Sequence, residues 1–259
     1  MNVMEMMSLK GKTALVSGGS GYYGKQIVLA LAQAGAKVII ASRNIEKNQA
    51  YADELVAQGY DVVCETVDME SVESMKKLAE TVKEKYPNLR VLINNSVARI
   101  IKGLYDFENF DRSMTINATG NYVMSKLFAD IIAENGGGSV VNVGSYMGCV
   151  GPDKTNYTGC SFHGFSSPDY FFHKGGLTNL TRYCASFYGD KNVRFNIIQL
   201  GGLYNAQEER FVKQYSDNTF LGRMANDTDI MGAIVYLASD ASLYVTGTEL
   251  VIDGGYLAK

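Results

Sequence analysis

Residues 13–24 read TALVSGGSGYYG, and this stretch decides the fold. The apolar residues 13–16 predict a buried strand, three glycines spaced three apart follow it, and a helical pattern runs over 25–34. Glycines let the backbone approach a pyrophosphate closely, and the start of the next helix offers N–H donors and positive potential. A tight turn without a ligand could use the same residues. The position at the first strand-to-helix crossover favours a dinucleotide site.

The same alternation of strand and helix continues along the chain. Helical patterns cover 45–58 and 71–86, and six further apolar runs predict strands at 38–40, 62–64, 91–93, 139–143, 193–198 and 249–252. Their near-continuous hydrophobicity is typical of strands buried on both faces. No linker or repeat divides the chain. We therefore predict an α/β protein of one domain, residues 1–259, with a doubly wound (Rossmann) fold: a seven-stranded parallel sheet flanked by helices, with ligands at the carboxyl ends of the strands.

Composition excludes several classes of function. The 259 residues are 46% hydrophobic and 20% charged, with a net charge of -3, which gives no electrostatic reason to expect a nucleic acid or membrane partner. No apolar run approaches the roughly 18 residues of a membrane span, and the N-terminus lacks the pattern of a signal peptide. The four cysteines have no disulfide or zinc spacing, and there are two histidines. We expect a cytoplasmic protein without a metal site.

Tyr170 and Lys174 form the second informative pattern. Residues four apart on a helix share one face, so the Lys174 ammonium can lie beneath the Tyr170 phenol. A nearby cation lowers a phenol pKa from about 10 and suits the group to proton exchange with an alcohol or carbonyl. Such a pair arises easily by chance, so its meaning depends on the residues around it.

The end of the second predicted strand bears on the cofactor. Ser42, Arg43 and Asn44 stand where NAD-preferring sites usually place an acid for the ribose hydroxyls. An arginine there can instead form a fork on a 2′-phosphate, although it could also be a solvated residue at a helix start. The sequence favours NADP(H), with NAD(H) possible.

Taken in order, these motifs resemble the short-chain dehydrogenase/reductase family over nearly the whole chain. The matching segments are the glycine loop, 67–68, 94–95, 116–118, 142–145, 170–174, 244–247 and 253–255. The resemblance implies a catalytic tetrad of Asn117, Ser145, Tyr170 and Lys174. It implies an adenine contact by Asp68, a cofactor pocket lined by Asn94, and a homo-oligomer, tetramer or dimer. The predicted cofactor-binding residues are Gly18, Ser20, Tyr22, Tyr23, Gly24, Ser42, Arg43, Asn44, Asp68, Met69, Asn94, Ser96, Tyr170, Lys174, Gly201 and Leu203.

The chain departs from the family pattern in the distance between serine and tyrosine. Tyr170 follows Ser145 by 25 residues, about twice the usual spacing, whereas Tyr157 follows it by 12. Four residues beyond Tyr157 stands Ser161, which offers no positive charge, so we assign Tyr170 as the acid–base residue. The extra residues predict an active-site insertion at about 148–168, and 203–224 resemble a substrate lid. The insertion resembles that of a subgroup similar to flagellin-modification (sugar-biosynthesis) dehydrogenases.

Candidate substrate contacts follow from these segments. Arg99 and Lys102 could bind a carboxylate or phosphate, or form a solvated basic loop. Side chains that could hydrogen-bond to substrate hydroxyls are predicted at Tyr146, Asn156, Tyr157, His163 and Tyr204. Together they favour a carbonyl or secondary alcohol on a sugar, sugar acid or sugar phosphate. The alternatives are a ketone or acyl-thioester reductase and a non-catalytic NADP(H)-binding protein.

Overall fold

The computed structural model describes residues 2–162 and 167–259. Its centre is one parallel sheet in the order β3-β2-β1-β4-β5-β6-β7, built from β1 (Thr13–Ser17), β2 (Lys37–Ser42), β3 (Val62–Thr66), β4 (Leu89–Asn94), β5 (Gly138–Val143), β6 (Val193–Leu200) and β7 (Glu249–Ile252). The strand order reverses between β1 and β4, which opens a crevice at their carboxyl ends. The predicted seven-stranded Rossmann fold is confirmed.

Helices cover both faces of this sheet. In the described residues they are α1 (Val3–Met6), α2 (Tyr22–Gln33), α3 (Ile45–Val56), α4 (Val72–Lys85), α5 (Phe107–Met114), α6 (Gly120–Glu134), α7 (Pro168–Tyr188), α8 (Glu209–Asp217) and α9 (Met231–Ala238). A π-helical turn, Thr115–Thr119, joins α5 to α6. The first crossover helix begins at Tyr22, three residues earlier than its apolar pattern, because Gly21 takes the extended N-cap conformation.

Two apolar layers hold the helices on the sheet. One packs α2, α3 and α9 against one face, and the other packs α4, α6 and α7 against the opposite face. All five residues of β1 and all eight of β6 are buried, so neither strand shows the alternation of a half-exposed sheet.

The predicted insertion and lid pack together. Tyr146, Tyr157, Phe211, Tyr215, Met224 and Tyr256 form a third cluster of buried side chains. Hydrogen bonds join the two segments as well: the Gln214 amide donates to Thr158 O at 3.0 Å and the Arg210 guanidinium donates to Gly159 O at 3.1 Å. The described part of the insertion therefore lies against α8.

Residues 2–162 and 167–259 contain no helix that is both long and apolar enough to cross a membrane. The same residues bring together no group of three or more His, Cys, Asp or Glu side chains suited to holding a metal ion.

Candidate active site

The glycine loop closes tightly onto the start of α2. Gly18 has a φ of +67°, a conformation that favours glycine, and a Cβ placed on Gly24 would lie 2.3 Å from the Gly18 carbonyl oxygen. Within the described ranges, 2–162 and 167–259, no side chain caps the N-terminus of α2, whose N-cap is Gly21. The first N–H groups of the helix are therefore available to an anionic ligand.

A cleft of about 660 Å³ opens beside this helix end. It lies between the glycine loop and the chain after β6, and its lining includes Ser20, Lys25, Lys47, Leu203 and Tyr204. Two lysines and a free helix N-terminus suit the diphosphate of a dinucleotide. The residues present fit the cofactor that the glycine loop predicts.

Asn48 anchors Ser20, which lines the cleft, and sequence analysis did not identify it. Its buried Oδ1 accepts hydrogen bonds from Ser20 Oγ at 2.8 Å and Ser42 Oγ at 2.9 Å, which ties the glycine loop to the end of β2. An asparagine on the apolar face of the predicted 45–58 helix was the available signal. Arg43, next to Ser42, is exposed.

The neighbouring acidic residues are engaged in local contacts. Asp68 Oδ1 accepts from the backbone N–H of Glu70 at 3.0 Å. Glu70 forms a two-pronged ion pair with Arg112, at 2.8 and 2.9 Å. The hydrogen bond from Arg112 lowers the pKa of Glu70, helped by the charges of Arg112 and Arg43 and opposed by desolvation.

Three other predicted cofactor residues stand close to the loop, and a fourth, Met69, packs against α6. Ser96 N–H donates to Ser17 Oγ at 3.1 Å, beside Gly18. Tyr23 Oη donates to Gly201 O at 3.2 Å, which links α2 to the end of β6. Tyr22, at the start of α2, is 73% exposed. The backbone carbonyl of Met69 packs close against Gly120, where a Cβ would lie 2.6 Å from it.

Asn94 corrects one prediction. Its side chain is 1% exposed and donates to Ser125 Oγ and Asn142 Oδ1, both at 2.9 Å. The amide therefore binds two strands and a helix together inside the protein. It does not line the cofactor pocket with its side chain.

Tyr170, Ser145 and Lys174 meet at the carboxyl end of β5. A hydrogen bond joins the Tyr170 and Ser145 hydroxyls, and Lys174 Nζ lies 5.7 Å from the centre of the Tyr170 ring. Lys174 is 5% exposed and donates to Val143 O at 2.6 Å. Burial and the charge of Arg99 lower the pKa of Lys174, although Tyr170 opposes this.

A second cation reaches the same phenol. The Arg99 guanidinium lies 4.5 Å from the centre of the Tyr170 ring. Burial alone would raise the pKa of Tyr170, but the charges of Lys174 and Arg99 and the hydrogen bond from Ser145 together lower it. The sequence suggested Lys174 as the cause of this shift but did not predict the stacking of Arg99.

Asn117 lies in the π-helical turn and is 2% exposed. Its Oδ1 accepts from Ala98 N–H at 2.8 Å, and its Nδ2 donates to Ala98 O at 2.8 Å and Ser113 Oγ at 3.0 Å. Both Nδ2 hydrogens and one lone pair of Oδ1 are thus engaged by protein groups. The Asn117 backbone carbonyl also accepts from Asn121.

The predicted substrate residues fall into two groups. Tyr204 lines the cleft and is 57% exposed, and Lys102 is exposed in the loop after β4. Tyr146, Asn156 and Tyr157 are buried instead, with 6%, 1% and 4% exposed.

For these three the prediction of a direct substrate contact is corrected. Asn156 bonds to Tyr256 and Asn218, and the two tyrosines pack in the third cluster. Burial raises the pKa of Tyr157 to about 12, opposite to the shift at Tyr170. His163, also predicted as a substrate contact, lies outside the described residues.

Comparison with known proteins agrees with this geometry. A family model described as Enoyl-(Acyl carrier protein) reductase, of the short-chain dehydrogenase type, matches residues 23–257. A tropinone reductase homolog from Arabidopsis thaliana is 30% identical, over 96% of this chain and 91% of its own length. The 2-dehydro-3-deoxy-D-gluconate 5-dehydrogenase of Escherichia coli is 29% identical, over 99% of this chain and its whole length.

A solved structure of a dehydrogenase is also similar to this chain. A putative NAD(P) dependent gluconate 5-dehydrogenase from Beutenbergia cavernae, with bound NADP, is 27% identical. It superimposes with a TM-score of 0.86, covering 98% of this chain and all of its own. With the family model matching most of the sequence, the chain belongs to the short-chain dehydrogenase/reductase family and is an NAD(P)-dependent oxidoreductase.

Proposed function

We propose that this enzyme interconverts a carbonyl and a secondary alcohol on a sugar acid, with Tyr170 as the general acid–base and NADP(H) as cofactor. One observation carries the proposal: the phenol of Tyr170 hydrogen-bonds to Ser145 while two cations, Lys174 and Arg99, lie against its ring and lower its pKa. A tyrosine in such surroundings is suited to exchange a proton near neutral pH.

Each side chain has one task in this mechanism. Ser145 hydrogen-bonds the substrate oxygen and holds the reacting carbon in place. Tyr170 gives its proton to that oxygen during reduction and removes it during oxidation. Lys174, anchored on Val143 O, stabilises the phenolate between these events. A bound nicotinamide supplies or accepts the hydride.

The support for Tyr170 over Tyr157 is electrostatic. Desolvation of Tyr157 in the third cluster makes its phenolate costly, and the pKa of this residue is raised to about 12. Tyr170 has the opposite shift, because the two cations outweigh its burial.

NADP(H) is favoured by the residue that ends β2. Arg43 is exposed, adjoins the Ser42–Asn48 hydrogen bond, and can reach a 2′-phosphate. The relative from Beutenbergia cavernae contains bound NADP. NAD(H) is the alternative cofactor, and because it lacks the 2′-phosphate it would leave Arg43 without a role in binding.

A sugar acid is favoured as substrate by the position of Arg99. Its guanidinium is exposed on one side and contacts the Tyr170 ring, so a carboxylate bound to it would stand near the reacting carbonyl. The Escherichia coli relative is named for a sugar acid. A sugar or sugar phosphate, as in the subgroup resembling flagellin-modification dehydrogenases, remains a proposal, as do cytoplasmic location and a homo-oligomer.

A ketone or acyl-thioester reductase is the second candidate, favoured by the description of the family model. A panel of ketoses, keto sugar acids, simple ketones and acyl thioesters, each with NADPH and NADH, separates the two. We expect the highest kcat/KM with a keto sugar acid and NADPH. Turnover of simple ketones or thioesters alone would reject the substrate proposal, and cofactor binding without any turnover would favour a non-catalytic protein.

A further inference from the structure

A closed ring of contacts leads away from Tyr170 and returns to it. Asp169, the residue before Tyr170 on α7, is 2% exposed, and its Oδ2 accepts a hydrogen bond from Ser113 Oγ at 2.5 Å. Ser113 Oγ in turn accepts from Asn117 Nδ2 at 3.0 Å. The other Asp169 oxygen has no hydrogen-bond partner among residues 2–162 and 167–259. A buried carboxylate is costly, so its retention calls for a reason.

The ring continues through the loop after β4. Asn117 grips Ala98 at both its N–H and its C=O, each at 2.8 Å. The next residue is Arg99, whose guanidinium lies against the Tyr170 ring. The second Nδ2 hydrogen of Asn117 goes to Ser113 Oγ, so Ser113 adds a third anchor to the amide besides the two that Ala98 provides.

We propose that Asp169 and Ser113 are positioning residues that orient Asn117 and, through the Ala98 backbone, hold Arg99 against Tyr170. Neither contacts the reacting groups. The catalytic importance of these contacts rests on the proposed role of Tyr170, but the contacts themselves can be tested without a substrate.

The ionisation of Tyr170 is the direct readout. The charged and titratable groups that face its phenol are Lys174 on its own helix and Arg99 from the loop, with Tyr23 and Tyr146 from other elements. His173 packs edge-on at 5.2 Å and is neutral near pH 7 because burial lowers its pKa to about 3. Loss of Arg99 from this set must raise the pKa of Tyr170.

The experiment is a spectroscopic pH titration of tyrosinate absorbance, in which the transition missing from Tyr170→Phe belongs to Tyr170. We expect Arg99→Ala, Ser113→Ala and Asp169→Ala each to shift this transition upward, by about one pH unit. In a double-mutant cycle, Ser113→Ala should add little to Arg99→Ala, because both remove the same interaction.

The direction of the Tyr170 pKa shift in Asp169→Ala separates a positioning role of Asp169 from a direct effect of its charge. Removal of a negative charge by itself would lower the pKa of Tyr170, so an upward shift in Asp169→Ala requires the loss of Arg99. Asp169→Asn keeps an acceptor for Ser113 and should titrate at or below the wild-type pH.

Ser139→Ala is the matched control. It removes an equally buried serine hydroxyl, which donates to Leu237 O at 2.7 Å, at the amino end of β5. It should leave the transition unchanged. An unshifted Ser113→Ala, or additive shifts in the cycle, would overturn the proposal. If circular dichroism shows that Ser113→Ala does not fold, the two Asp169 variants decide. The same Tyr170 pKa in Asp169→Ala and Asp169→Asn would then overturn the proposal.

Discussion

Lys174 donates to the carbonyl oxygen of Val143, the last residue of β5, at 2.6 Å. This bond ties the middle of the candidate site to a strand that is buried along almost its whole length. The ammonium therefore has one position relative to the Tyr170 ring, 5.7 Å from its centre. A charge held on rigid secondary structure costs no reorganisation when the phenol ionises.

Tyr170→Phe should lower kcat by at least about 10²-fold, because the acid–base group is lost. The dissociation constant for NADPH should change by less than threefold, measured by fluorescence titration. Tyr157→Phe is the control: it removes a hydroxyl of the third cluster and should retain most of the activity. Retained turnover in Tyr170→Phe, or equal losses in both variants, would contradict the assignment.

Arg43→Ala should weaken NADP(H) binding about tenfold or more, because a charge-assisted pair with the 2′-phosphate is lost. NAD(H) binding should hardly change. Lys37→Ala, at the other end of β2 in an ion pair with Asp61, provides a charge-matched control far from the cleft. The measurement is KM for each cofactor; equal effects on NADPH and NADH would exclude a 2′-phosphate contact.

Gly24→Ala should destabilise the fold by about 1–3 kcal/mol and abolish cofactor binding. The new methyl would meet the Gly18 carbonyl at 2.3 Å, so the glycine loop must move. Gly232→Ala on α9 is the control, since a Cβ there meets no atom within 4 Å and alanine favours a helix. Urea unfolding and cofactor titration of both variants check this. Full cofactor affinity in Gly24→Ala would show that the loop is not the cofactor cradle.

His173 should make the protein sensitive to acid. Its pKa is lowered from about 6.5 to about 3 by burial and by the charges of Lys174 and Arg99, so the unfolded chain binds the extra proton first. The free energy of unfolding should therefore fall by about 1.4 kcal/mol per pH unit as the pH drops from 6.5 toward 3. The contribution is fully present above pH 6.5.

Urea unfolding of the wild type and His173→Phe between pH 7 and pH 4.5 tests this. The variant should lose less stability over that range, by about 2–3 kcal/mol. Parallel curves for the two proteins would mean that His173 is not held neutral in the fold.

An exposed aromatic stripe on α7 should support a homo-oligomer. Phe172, Tyr183 and Phe187 are 67%, 60% and 47% exposed, at spacings that place them on one face of the helix. Light scattering should find a dimer or tetramer, and Tyr183→Glu with Phe187→Glu should lower its mass. Val56→Glu, at an exposed apolar position on α3, should not. A wild-type monomer would refute the prediction.

The fold could be predicted because its signals are local. Three of these signals can be interpreted without any distant contact. They are the apolar run and glycine loop of 13–24, the repeated alternation of strand and helix, and the absence of half-exposed strand patterns. Even there, the predicted start of the first crossover helix was three residues late. The helix begins at Tyr22 because Gly21 caps it, and apolar periodicity does not detect a glycine cap.

The site was predictable only in part. Spacing and charge separated Tyr170 from Tyr157, since a lysine four residues away on a helix is a sequence property. Ser113 and Asp169 carried no recognisable signal, and Asn48 only its place on the apolar face of a predicted helix, because each acquires a partner from a segment distant in the chain. For the same reason the burial of Tyr146 and Tyr157 could not be predicted: both rings pack against side chains of α8.

The sequence by itself determined the order of strands and helices, the glycine loop and the pairing of Tyr170 with Lys174, because these depend on neighbours within a turn or a strand. Only the tertiary structure decided that Arg99 covers the phenol and that the insertion packs against α8. Those contacts join residues 51 to 71 positions apart, and which side chains meet there depends on how the layers pack.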